Sequence, residues 1–116
     1  MADLQIPTYR MTLELPVGIR SADGTADRTA EVRAVTGADE FYIGMSPEYN
    51  KYPNDMVYKT LLLSRCVTRL GDRTAISITD IQKLHARDVR ALEVAVYTLT
   101  YGEDALPKED PNSPGA

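Results

Sequence analysis

From Tyr9 the chain alternates between apolar and polar positions. Tyr9, Met11, Leu13 and Leu15 are apolar, while Arg10, Thr12 and Glu14 are polar. A period of two predicts a strand with one buried face. Pro16 and Gly18 interrupt the pattern, because proline cannot donate to a ladder and glycine loosens one. The strand is therefore expected to end near Pro16 or to continue as an edge through Val17 and Ile19. Ser21 to Asp27 contains Asp23-Gly24, a turn dipeptide in which glycine accepts positive φ. Beyond it, Ala30, Val32 and Ala34 alternate with Thr29, Glu31 and Arg33, giving a second strand and a hairpin.

The period then changes from two to 3.6. Thr36-Gly-Ala-Asp39 has the Ser/Thr-x-x-acid spacing of a helix start, and acidic groups suit the positive helix end. A short helix is expected through Glu40 to about Met45. Ser46 to Asn54 holds Pro47 and Pro53 and reads as a loop with a helical turn after Pro47. Asn54 or Asp55 caps the longest helix, Met56 to Leu70, which Gly71 stops. Met56, Thr60, Leu63, Val67 and Leu70 share one stripe of it, with Arg65 and Arg69 opposite and Leu61 and Leu62 on the flanks. Thr79-Asp-Ile-Gln82 predicts a second capping box opening a short helix to about His85. The last helix runs from about Arg87 to Tyr101, with Gly102 as its stop. Its inner face carries Leu92, Val96 and Leu99, with Val89 and Ala95.

The fold class expected is α+β: an N-terminal two-stranded β-hairpin packed on a cluster of three to four α-helices. A lone hairpin is barely stable in water, so it must pack on the helices or pair with another chain. Residues 9–106 form the single domain of this reading. Residues 1–8, with Pro7, read as a flexible arm. Residues 107–116 are too polar to pack and read as a disordered tail.

Composition narrows the function classes. With 116 residues the chain supports one modest core. Its net charge of −4 argues against nucleic-acid binding, which concentrates Lys and Arg. No apolar run approaches the roughly 20 residues that span a bilayer. Met-Ala-Asp-Leu-Gln at the N-terminus lacks the basic and apolar regions of a secretory signal. The single cysteine, Cys66, cannot form an internal disulfide. Together these features predict a cytoplasmic protein.

Motifs for chemistry are sparse. The chain has no glycine-rich phosphate loop, no metal-ligand pair, no nucleophile elbow and no tryptophan. No cofactor, no metal and no catalytic residue is therefore expected. Asp23 and Asp27 lack the further oxygen ligands and closing Glu of a calcium loop. His85 and Cys66 read as a helix-end imidazole and a packed thiol rather than a catalytic pair. Asp39-Glu40 reads as two helix-start charges, since neighbours on a helix point apart. Asp88, at the start of the last helix, reads as a capping or ion-pair group. One surface remains. Arg90, Val94, Tyr97 and Tyr101 lie opposite the core stripe of the last helix, at i, i+4, i+7 and i+11. Tyrosine joins a large apolar body to a polar tip, which suits a partner surface. Alternatively, this face packs inward on the hairpin.

The ordered segments also resemble a known family. "MTLELPVGIRSADGTADRTAEVRAVTGADE" is similar to the opening of small phage tail assembly proteins: a Leu-Pro-x-Gly strand, an Asp-Gly turn, a Val-Arg strand and a Thr-Gly-x-Asp-Glu helix start. "LLLSRCVTRLGD" resembles their leucine-rich helix ending in Leu-Gly, and "ITDIQKLHARDVRALEVAVYTLTYGED" their closing helix ending in Tyr-Gly. The match covers about Met11 to Asp104. It implies a tail assembly chaperone or baseplate-hub assembly protein of contractile phages and contractile injection systems. Such a protein has no catalytic residues. It binds a tail tube, tape-measure or baseplate-hub protein, and it is either released or kept as a structural component of the particle. A homo-oligomer is compatible with this role. The polar segment after Leu106 is not part of the resemblance.

Overall fold

The computed structural model describes residues 7–102. Its elements are β1 (Arg10–Arg20), β2 (Ala26–Arg33), α1 (Gly37–Gly44), α2 (Pro47–Lys51), α3 (Asp55–Cys66), β3 (Val67–Leu70), α4 (Ile78–Gln82) and α5 (Ala86–Tyr101). The architecture is α+β, an antiparallel sheet in the order β1-β2-β3 covered by helices. The expected disordered tail and most of the expected N-terminal arm lie outside the described residues.

β1 does run on past Pro16. It pairs with β2 from Arg10↔Arg33 to Glu14↔Thr29, then resumes at Ile19↔Asp27, so the extra residues on β1 form an arch. Gly18 sits in that arch with φ 96°. A Cβ there would lie 2.6 Å from Arg28 Cγ and 2.8 Å from the Asp27 carbonyl oxygen, so both conformation and space demand glycine. At the hairpin tip Asp23 Oδ1 accepts from Thr25 Oγ1 at 2.6 Å, Ser21 Oγ at 2.7 Å and Thr25 N at 3.0 Å. These donors, the Thr25 hydroxyl first and Ser21 next, pull its carboxyl down to about 2.

The expected helix over Met56–Leu70 is corrected. α3 ends at Cys66, and Val67 is already extended with φ −81° and ψ 113°. Val67–Leu70 forms a third strand beside β2, through Ala30↔Leu70, Glu31↔Arg69 and Val32↔Val67. The sheet is therefore three-stranded, not two-stranded. An irregularity between Glu31 and Val32 turns both Val67 and Leu70 inward although they are three residues apart. Two inward side chains at that spacing have the same signature as a helix face, which is why the pattern read as helical. Local chemistry favours the strand: Val67 and Thr68 are β-branched, and Thr68 Oγ1 donates to Glu31 Oε1 at 2.8 Å. The expected stripe also shifts. Met56 is 58% exposed, while Leu61, placed on a flank, is buried where α3 meets α4.

The helix caps explain the remaining boundaries. Ser46 Oγ accepts from Tyr49 N, and Asn54 Oδ1 from Val57 N. The capping box before α4 begins two residues earlier than expected. Ser77 and Asp80 exchange bonds, Asp80 N to Ser77 Oγ at 3.2 Å and Ser77 N to Asp80 Oδ2 at 2.9 Å. α4 accordingly stops at Gln82, and His85 caps α5, its Nδ1 accepting from Arg87 N at 3.1 Å. Gly102 closes α5 with φ 79°.

The core gathers Leu15, Ala30 and Val32 from the hairpin, Val67 and Leu70 from β3, Leu63 and Cys66 from α3, Ile81 from α4, and Leu92, Ala95 and Val96 from α5. Burying a side chain such as Leu92 contributes about 2 kcal/mol. α5 is tied to the hairpin near both ends. Asp88 accepts from Val17 N and Gly18 N at 2.8 and 2.9 Å, and Val35 N donates to Thr100 Oγ1 at 2.9 Å.

Candidate functional site

The inward face of α5 is spent on the core, which leaves Val94, Tyr97 and Tyr101 on the outer face. These three do not pack on the hairpin. They form one wall of an open groove of about 480 Å³, whose other wall is α3 with Tyr58 and Leu62 and whose end is Val35. Val94 is 58% exposed, Tyr97 39% and Tyr101 57%. The two tyrosine rings lean on each other, centroids 5.0 Å apart. Arg90, the fourth residue of the expected surface, does not line the groove. It pairs with Glu93, which does, at 2.6 Å. Lys59 and Asp55 pair at 3.0 Å on the α3 side of the rim.

Sequence reasoning missed the α3 wall. Tyr58 and Leu62 fell outside the expected stripe, yet both are only half-buried and face the groove. Tyr58 packs edge-on against Tyr49 with centroids 6.0 Å apart. Burial, aided by the charge of Glu40, raises its phenol above the usual range. Phe41 and Met45 were also missed. Phe41 lies on α1 and Met45 caps its C-terminal end, and they are 71% and 68% exposed.

The titratable candidates Asp39, Cys66, His85 and Asp88 lie outside the lining of the groove. Asp39 and Glu40 diverge as expected, but Asp39 does more than start a helix. Fully buried, it accepts from Arg33 Nη1 and Nη2 at 2.8 Å each, from Arg65 Nε at 2.8 Å and from Thr36 N at 2.8 Å. Arg65 also stacks 4.3 Å above the Tyr42 ring. Burial alone would raise the Asp39 carboxyl. The donors, Arg33 foremost, outweigh it and hold the group well below the ordinary aspartate range. Cys66 Sγ lies 3.9 Å from the same carboxylate. Burial, then the Asp39 charge, pushes its thiol up to about 12, so it carries almost no thiolate at neutral pH. His85, exposed, uses Nδ1 in its cap.

The groove thus joins apolar and tyrosine side chains to the charged groups of Asp55, Lys59 and Glu93. Comparison with protein-family models, with curated proteins and with solved structures returns no match. Among the described residues, no helix is long and apolar enough to cross a membrane.

Proposed function

We propose that this chain is a protein-binding assembly factor that holds an apolar segment of a tail tube, tape-measure or baseplate-hub protein in the α3–α5 groove. The observation that carries the binding role is the groove itself: large apolar and tyrosine side chains of two helices line an open cleft. Such a cleft suits an amphipathic helix whose apolar side chains enter it while Lys59, Asp55 and Glu93 meet its polar edge. The assignment to contractile phage-tail-like particles rests on the order of hairpin, leucine-rich and closing-helix motifs in the sequence. Acting before assembly, the protein would shield the client's apolar surface in the cytoplasm and leave when the surface is buried in the particle.

The test is a pull-down of each candidate client, with thermal unfolding on the same preparation. Tyr97→Ala with Tyr101→Ala is expected to lower client affinity by about tenfold or more, because well-packed tyrosines concentrate binding energy. Both positions are exposed, so the melting temperature should move little. A folded double variant that binds every client as the wild type does refutes the groove as the binding site. Stoichiometric recovery of the chain in purified particles selects the structural-component role over the released chaperone.

A further inference from the structure

Among the described residues, β1 is an edge strand, with β2 on one side of it. Ala34 N donates to Tyr9 O, and the same register continues to Glu14↔Thr29. In an antiparallel ladder, hydrogen-bonded and non-hydrogen-bonded pairs alternate. Tyr9, Met11 and Leu13 therefore turn their backbone groups to β2, while Arg10, Thr12 and Glu14 turn theirs to the open edge. The open stretch is bounded at its far end. Pro16 has no N–H, and Asp88 takes the N–H groups of Val17 and Gly18. What remains is a short window centred on Thr12.

We infer that this window pairs with the same window of a second copy, antiparallel about a twofold axis through Thr12, to make one continuous sheet. Three independent requirements meet in this register. First, it places Thr12 opposite Thr12 and Arg10 opposite Glu14, so the positions that pair through hydrogen bonds are those whose N–H and C=O face the open edge. Second, side chains agree on both faces. Arg10, Thr12 and Glu14 are exposed, while Met11 and Leu13 lie on the core side, so Met11 meets Leu13 of the second copy. Third, charge alternates across the junction. Arg10 already pairs with Glu31 at 3.0 Å and Glu14 with Arg28 at 2.9 Å, both with their side chains largely in solvent. The junction extends these pairs into a row of Glu31, Arg10, then Glu14 and Arg28 of the second copy. Shifting the two strands to centre on Arg10 or on Glu14 would set like charges face to face, which is unfavourable. This surface is separate from the α3–α5 groove, so the inference does not depend on the client.

The experiment is sedimentation of the full chain over a concentration series, alone and in mixtures. Wild type is expected to shift from monomer to dimer as concentration rises. Arg10→Glu sets carboxylates against carboxylates across the junction, and Glu14→Arg sets guanidinium against guanidinium. Each should weaken self-association by about tenfold. Mixing the two variants should restore it, because each supplies the charge the other now needs. Circular dichroism checks that both exposed substitutions keep the fold. A wild type that stays monomeric at every concentration overturns the inference. So do single variants that dimerise like wild type, or a mixture that dimerises no better than its components.

Discussion

Two aspartates sit in the first turns of two helices, and both are fully buried: Asp39 in α1 and Asp88 in α5. Their compensation differs. Asp39 faces two guanidinium groups, from β2 and α3. Asp88 accepts two backbone N–H groups from the arch in β1. The Asp39 corner is thus held by charge pairing that still reaches solvent through Arg33 and Arg65, whose side chains are 18% and 32% exposed. The Asp88 corner is held by dipoles at fixed positions. Cations tolerate movement, since a long side chain follows its partner. Two adjacent N–H groups do not, so Asp88 fixes the geometry of the arch as well as its energy.

The largest test of this contrast is Asp39→Asn. It leaves two arginines around a neutral amide and should cost about 3 kcal/mol in chemical denaturation, the lower end for a broken buried pair because Arg65 keeps access to water. A loss below about 1 kcal/mol would mean that the arginines simply turn outward. Asp88→Asn comes next, at about 2 kcal/mol, because the amide NH2 meets an N–H that has lost its acceptor. If the contrast is right, that variant also loosens Val17 and Gly18, seen as faster amide hydrogen exchange at these two residues. Unchanged exchange there would show that the arch holds itself.

Acid gives the third and smallest effect, and it lies well below neutrality. Because the folded Asp39 carboxyl lies below its ordinary value of 3.8, its contribution is complete above that value. It is lost as pH falls from there through the depressed folded value. Wild type should therefore lose stability below about pH 4 while Asp39→Asn loses less, and the gap between them should narrow. Melts of both proteins across that window measure it, and a constant gap would remove Asp39 as its source.

Neither aspartate could be told from an ordinary helix-start acid in the sequence. Both obey the rule that negative charge suits the first turn. What separates them is supplied from afar: Arg65 lies 26 residues from Asp39, and Val17 lies 71 from Asp88. Features set by neighbours within a few residues were legible. The alternation of β1 and β2, the Asp23-Gly24 turn, the Asn54 cap and the α5 core stripe are all present. β3 was hidden because inward side chains three residues apart fit a bulged strand and a helix equally. Of the candidate surface, spacing placed Val94, Tyr97 and Tyr101 on one face of α5 but left open whether that face packs inward. The α3 wall could not be read, because the approach of two helices distant in sequence decides which of their flanks stay uncovered.

The ties of α5 to the hairpin also set the order in which the molecule can be finished. β1 and β2 are made first, but their buried residues Leu15, Ala30 and Val32 need Leu92 and Val96 above them. The bonds that lock the arrangement close loops of 65 to 71 residues. Contacts of such separation slow folding, because the chain must be brought together before they stabilise anything. During synthesis the hairpin therefore waits, its apolar face incompletely covered, until α5 emerges. A truncation before Ala86 takes Leu92, Ala95 and Val96 out of that cover, leaving apolar surface exposed of the kind that makes a newborn fragment prone to aggregate.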